Sequence, residues 1–232
     1  MFRFKQFSLQ HDRSTLKVGT DALLLGAWAD LAGARRILDI GTGCGVLALI
    51  AAQRAPGAQV DAVETDLPSV EEAAANFAAS PWPGRLRAHA IDARRLRSAD
   101  RFDRILCNPP YYAGEMASTD ERKRLARHAS GLAPDELAAV IASLLEPSGH
   151  AALIIPADRE KAFLDPARDH GLFPLRRASV HYIAHRPAKR VLVELGFRTG
   201  SLIEGPAMVV QDGTGTYSAT YRSLMKDLLP GF

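Results

Sequence analysis

The chain has little cysteine: two residues in 232, Cys44 and Cys107. That is too few for a disulfide framework, and neither has a second Cys or a His at zinc-ligand spacing. The pattern excludes a disulfide-stapled scaffold, predicts no metal site, and leaves two reduced thiols near a sheet edge. Long apolar runs are also missing. The stretches at 46–52 and 151–155 are short or broken by polar residues, and Arg3 and Lys5 at the N-terminus are followed by no signal-peptide core. A cytoplasmic protein with no membrane contact is the expectation. No repeat, heptad run or low-complexity linker divides the chain, so residues 1–232 read as one domain. Net charge is small, +3 with seven histidines uncounted, which allows nucleic-acid affinity without demanding it.

Apolar content, by contrast, is ample at 47%, and it recurs as strand, loop, helix. Phe2 to Leu9 alternates aromatic and polar residues, the period of a strand or hairpin arm. Thr20 or Asp21 is placed to cap a helix over the apolar run that follows, with its N-terminal amides toward a cavity, so both are candidate ligand contacts. Residues 37–40, 60–63, 86–91 and 102–107 read as strands. The helices between them span 46–54 and 68–79, the second with Glu71 and Glu72 in its first turn. This cadence makes a doubly wound parallel α/β sheet. Beyond it, residues 134–146 read as a helix, 151–155 as a fifth strand and 158–170 as another helix. Residues 175–184 and 190–197 are separated too briefly for a parallel crossover and must form an antiparallel hairpin. A strand at 207–210 and a helix at 217–229 close the chain.

The chemistry begins where the fourth strand ends, at Asn108-Pro109-Pro110-Tyr111. Pro109 lacks an N–H and cannot continue the ladder. The Asn108 carboxamide and the Pro109 carbonyl are therefore fixed acceptors at the carboxyl edge of the sheet, where open α/β folds bind ligands, and Tyr111 adds an aromatic face. A planar amine suits such a site. After the first strand comes Asp39-x-Gly41-x-Gly43-x-Gly45, whose glycines let backbone approach a ligand closely. Acids end the first three strands at Asp39, Glu64 and Asp92, and Glu64 is placed to accept both hydroxyls of a ribose.

This combination resembles the class I S-adenosylmethionine-dependent methyltransferases. The resemblance implies a Rossmann-like, mostly parallel seven-stranded sheet with an antiparallel C-terminal hairpin, here with a small N-terminal extension over residues 1–30. It implies S-adenosyl-L-methionine as cofactor. Gly41, Gly43 and Gly45 would pass along its methionine and ribose, Glu64 would bind the ribose hydroxyls, Asp92 the adenine amino group, and Asp39 would sit beneath the loop. Asn108-Pro109-Pro110-Tyr111 resembles the motif of the branch that methylates adenine N6, guanine N2 or glutamine N5. In that branch Asn108, Pro109 and Tyr111 would be catalytic, and Asn108 would also border the cofactor.

The flanks narrow the resemblance. Phe4-Lys5-Gln6-Phe7, the run from Lys17 to Trp28, Ser80-Pro81-Trp82, Ala126-Arg127-His128 and Tyr217-Ser218 with Tyr221 look like the bacterial tRNA1(Val) adenine-37 N6-methyltransferase family, nearly end to end. A tRNA substrate follows, acted on by a monomer. Residues 113–131 read as a lid or binding loop. The cations Arg122, Lys123, Arg124 and Arg127 in it, with Lys189 and Arg190 at the hairpin tip, are candidate RNA contacts. The alternatives are a glutamine N5-methyltransferase, disfavoured because only about thirty residues precede the first strand, and a cofactor- and RNA-binding scaffold without catalysis.

Overall fold

The computed structural model describes residues 1–14, 17–110 and 131–232. At the N-terminus β1 (Phe2–Arg3) and β2 (Ser8–Leu9) pair antiparallel, and the alternation of Phe2, Phe4 and Phe7 is explained by a ring stack of Phe4 on Phe7 at 4.2 Å. Two strand–helix steps and two further strands follow α1 (Thr20–Trp28): β3 (Arg36–Ile40), α2 (Val46–Arg54), β4 (Gln59–Glu64), α3 (Leu67–Ala79), β5 (Leu86–Ala90) and β6 (Phe102–Cys107). Next come α4 (Pro134–Leu144), β7 (Leu145–Pro156), α5 (Glu160–Asp169), the hairpin β8 (Phe173–Ile183) and β9 (Arg190–Gly196), the short β10 (Ile203–Glu204) and β11 (Met208–Gln211), and α6 (Ala219–Met225).

The strands form one sheet in the order β10-β8-β9-β7-β6-β3-β4-β5, with β11 also on β8. Pairing is parallel from β5 to β7 and antiparallel at β9. Side chains alternate between the two faces at the strand period of two. Ile37, Leu106 and Ile154 pack with α1, α2 and α6 on one face, while Leu38, Ile105, Cys107 and Ile155 pack with α4 and α5 on the other. Helices on both faces explain the apolar runs at the centre of the sheet, Ile37–Leu38, Ile105–Cys107 and Ala151–Ile155, while β4 and the edge strand β5 also carry Asp61, Arg87 and His89.

The mostly parallel sheet with its terminal hairpin is as read from the sequence, with four differences. Among the described residues the sheet has nine strands and not seven, because β10 and β11 add in parallel to the outer edge of β8. The helix expected over 134–146 stops at Leu144 and passes directly into a twelve-residue β7. There a Cβ on Gly149 would come within 2.7 Å of the Asp103 carbonyl, so the glycine permits strand contact rather than a turn. Neither Thr20 nor Asp21 caps α1: the N-cap is Gly19, with no side-chain cap bond. Asp66 caps α3, which places Glu71 and Glu72 beyond its first turn.

Candidate active site

Register places the strand ends together. Ile40 lies opposite both Cys107 and Val63, and Glu64 lies opposite Ala90. Gly41, Asn108, Glu64 and Asp92 therefore leave the sheet at one carboxyl edge within a residue or two of each other. The strand order reverses between β3 and β6, the crevice where doubly wound sheets take their ligands. Asn108 is half-buried and Pro109 buried, directly after β6. Tyr111 and the cations Arg122, Lys123, Arg124 and Arg127 lie outside the described residues.

The loop after β3 is shaped by three glycines in the left-handed region, Gly41 at φ 73°, Gly43 at 54° and Gly45 at 87°. They serve two purposes. A Cβ on Gly41 or Gly43 would meet none of the described residues within 4 Å, so among them these glycines face open space. A Cβ on Gly45 would lie 2.5 Å from the Phe77 ring, so this glycine allows α3 to press against the loop. Gly45 also N-caps α2 without a side-chain cap, and Ala48 N in the first turn of α2 donates instead to Asp39 Oδ2 at 3.2 Å.

Asp39 is wholly buried beneath this loop. Thr42 Oγ1 donates to the same Oδ2 at 2.6 Å, while Oδ1 is buried with no hydrogen-bond partner among the described residues. Desolvation pushes its carboxyl up to about 7 against the bonds from Thr42 and Ala48. Glu64 meets the loop from β4: its Oε2 accepts from Gly43 N at 3.2 Å and its Oε1 from Thr65 N and Asp66 N at 2.8 and 3.0 Å. Oε2, with a single donor, keeps a lone pair, so a hydroxyl donor can still bind there. Asp92 accepts from Arg94 N at 2.9 Å and from Arg94 Nε at 3.0 Å, and the Arg94 side-chain bonds hold its carboxyl below the usual range. Arg94 Nη1 reaches on to Glu136 Oε1 at 2.7 Å.

Open backbone surface, a ring of carboxylates and an orphaned buried oxygen fit an elongated, hydroxyl-bearing and partly cationic ligand. The two thiols do not take part as nucleophiles. Both are free and buried, and burial pushes Cys44 up to about 11 and Cys107 higher still. Among the described residues no three His, Cys, Asp or Glu side chains gather as a metal-binding group, and no helix is long and apolar enough to cross a membrane.

Asp21, Lys189 and Arg190 sit further along the same edge. Asp21 Oδ1 accepts from the Tyr182 hydroxyl and its Oδ2 from Arg190 Nε at 2.9 Å, so Arg190 is engaged by a carboxylate, while Lys189 and Arg186 are exposed. Thr20 is half-buried at the first turn of α1. Tyr182 had no sequence signal beyond its place in a strand. Asn76 had a faint one: it is a polar residue on the same helix face as the buried Ala73 and Phe77.

Residues 12–146 match the model of the Methyltransferase small domain. The chain is 40% identical over 226 residues to a tRNA1(Val) (adenine(37)-N6)-methyltransferase of Phocaeicola vulgatus, covering 97% of this chain and 96% of that protein. It is 40% identical over 227 residues to one of Vibrio vulnificus, at 97% and 94% coverage. A crystal structure from Agrobacterium tumefaciens, described as a predicted O-methyltransferase, superposes with a TM-score of 0.68 at 19% identity over 90% of this chain and 96% of that one. That last likeness establishes the methyltransferase fold. The matched domain spans the glycine loop and Asn108 alike and the relatives match end to end, so the chain belongs to the tRNA1(Val) (adenine(37)-N6)-methyltransferase family.

Proposed function

We propose that this chain transfers a methyl group from S-adenosylmethionine to the exocyclic N6 of adenine 37 in a tRNA anticodon loop, with residues 1–232 acting as one domain. The observation that carries the reading is the meeting of Asn108-Pro109 with the glycine loop across one register step, in a chain 40% identical over 97% of its length to relatives named for that reaction. Glu64 would accept the cofactor's ribose hydroxyls and Asp92 its adenine amino group. Gly41, Gly43 and Gly45 would line its methionine and ribose, and Asp39 would face it from beneath. S-Adenosylmethionine supplies an electrophilic sulfonium methyl when bound.

The rest falls to the protein. The target nitrogen is a poor nucleophile because its lone pair is conjugated into the ring. Asn108 Oδ1 and the Pro109 carbonyl oxygen are proposed to hold its two N–H hydrogens, turning the lone pair toward the methyl and stabilising positive charge as it grows. Such acceptors act by being already in place, and proline fixes the second of them. Tyr111 is proposed to stack on the extruded base, as aromatics commonly hold single-stranded purines. The exposed Lys189, with Arg122, Lys123, Arg124 and Arg127, would meet the stem phosphates.

The test is to incubate purified protein with S-adenosylmethionine and an unmodified tRNA transcript, then map nucleosides by mass spectrometry. N6-methyladenosine at position 37 is expected. Protein that binds the cofactor but leaves adenine 37 unmodified would overturn the substrate assignment.

A further inference from the structure

The glycine loop is held at Cys44, next to the Gly43 amide that Glu64 takes, by a residue that no motif contains. Asn76, on α3, is 4% exposed, and its carboxamide is fully used. Nδ2 donates to the Cys44 carbonyl at 2.9 Å and to the Gln10 carbonyl at 2.8 Å, while Oδ1 accepts from Gln10 N at 2.8 Å. Two carbonyls on one side and an N–H on the other fix the orientation of the amide. The peptide that follows Cys44 is held at both ends, because Gly45 N donates to the Thr42 carbonyl at 2.9 Å.

The same helix secures the N-terminal segment one turn earlier. Glu72, also 4% exposed, accepts from three successive amides: Asp12 N and Arg13 N on Oε1 at 2.8 and 3.0 Å, and Ser14 N on Oε2 at 2.9 Å. Burial pushes its carboxyl up, and the amides of Arg13, Ser14 and Asp12 outweigh that and hold it below the usual range. Asn76 thus links Gln10 directly to Cys44, in the middle of the loop, Glu72 ties residues 12–14 to the same helix, and a Cβ on Gly45 would press against α3 at Phe77 and Ala73.

We infer that Asn76 is a positioning residue of the cofactor site, through which the N-terminal segment at residues 10–14 holds the glycine loop in its binding conformation. The inference rests on the cofactor reading above. Buried networks with every group satisfied rigidify what they connect, and a preformed loop spares the ligand the cost of ordering it. The loop is continuous with the N-cap of α2 at Gly45, so a shift at Cys44 would reach both.

The test uses the full chain and S-adenosylhomocysteine. Asn76→Asp exchanges one atom: Nδ2, which donates to two carbonyls, becomes an oxygen that repels both. Calorimetry should show affinity weakened about tenfold or more, and steady-state assays should show a raised KM for the methyl donor with kcat within a few-fold of wild type. A variant with lowered thermal stability but unchanged affinity and KM would reduce Asn76 to a structural residue and overturn the inference. Hydrogen exchange on the wild type needs no substitution. Adding S-adenosylhomocysteine should increase protection of the Gln10, Asp12, Arg13 and Ser14 amides together with Gly43 and Gly45; protection confined to the loop would overturn the coupling. Failure of the wild type to bind would sink the cofactor reading and this inference with it, whereas wild-type binding with an unaffected Asn76→Asp sinks the inference alone.

Discussion

At the glycine loop the carboxylates are met mainly by backbone N–H groups from nearby in the chain, whereas toward the hairpin they are met mainly by side chains from far away. Glu64 takes the amides of Thr65, Asp66 and Gly43, and Asp39 that of Ala48. Asp21, by contrast, takes Arg190, 169 residues on. Glu194 takes Arg176 from the neighbouring strand at 2.8 Å, together with the distant Asp30 amide. The same guanidinium lies 3.9 Å over the Trp28 ring and donates to the Trp28 carbonyl. Of the loop's carboxylate oxygens, Glu64 Oε2 takes a single amide and Asp39 Oδ1 has no partner among the described residues. The long-range pairs instead fasten both ends of α1 to the β8–β9 hairpin. One end of the edge is thus held by local amides, and the other by long-range pairs that leave Arg186 and Lys189 exposed at the hairpin tip.

Substitutions can break that contrast from either side. The largest effect should follow Asn108→Ala: loss of an acceptor used as charge develops should lower the methyl-transfer rate by roughly 10²–10³, with calorimetric affinity for S-adenosylhomocysteine unchanged. Turnover within a few-fold of wild type would make Asn108 structural. Next is Glu64→Ala, which removes charge-assisted bonds to the ribose and should weaken cofactor affinity by roughly 1.5–3 kcal/mol, read by the same titration. Unchanged affinity would move the ribose elsewhere.

A third test uses acidity. Burial raises the Asp39 carboxyl from 3.8 to about 7, so across that window the folded state retains a proton that the unfolded chain has lost. Stability contributed by the neutral acid is therefore present at low pH and lost as pH rises toward 7. Asp39→Asn has no such proton, so between pH 5 and 7 the wild type should lose on the order of 1–3 kcal/mol relative to it, measured by urea unfolding of both proteins. Parallel pH profiles would contradict a raised carboxyl.

The smallest effect separates the hairpin cations. Arg186→Ala with Lys189→Ala should make the salt dependence of tRNA binding shallower by about 0.7–0.9 for each phosphate that the variant no longer neutralises. Arg190→Ala should instead lower thermal stability, since it releases Asp21, and a salt slope reduced by Arg190→Ala alone would erase the distinction between framework and RNA-facing cation.

Chemistry was legible where a residue type leaves the backbone few options. Glycine at positive φ, proline without an N–H and an acid at the end of a buried strand are local constraints, and Gly41, Gly43, Pro109 and Glu64 lie where those constraints put them. The strand ends meet because parallel pairing aligns them, which the alternation of strand and helix already implies. Pairings that compete over distance were not legible. Asp21 reads as a helix cap from its neighbours, yet Tyr182 and Arg190 bind it. Glu72 reads as an acid for its own helix, yet it gathers the amides of Asp12, Arg13 and Ser14. The strand read at 207–210 is β11, but nothing near Ile203 announces β10, nor does either segment show that it will pair with β8.

By itself, then, the sequence determined the doubly wound sheet and the glycine loop beside Asn108, because hydrophobic period and backbone sterics act over a few residues and leave one solution, while the family was legible only as a likeness of motifs along the chain. Only the tertiary structure decided which carboxylates meet local amides and which meet arginine, that Asp39 is buried with one oxygen unmatched among the described residues, and that Asn76 ties the N-terminal segment to the loop. Those outcomes depend on which charges and amides folding brings within about 3 Å, and hydrogen bonding reaches no further.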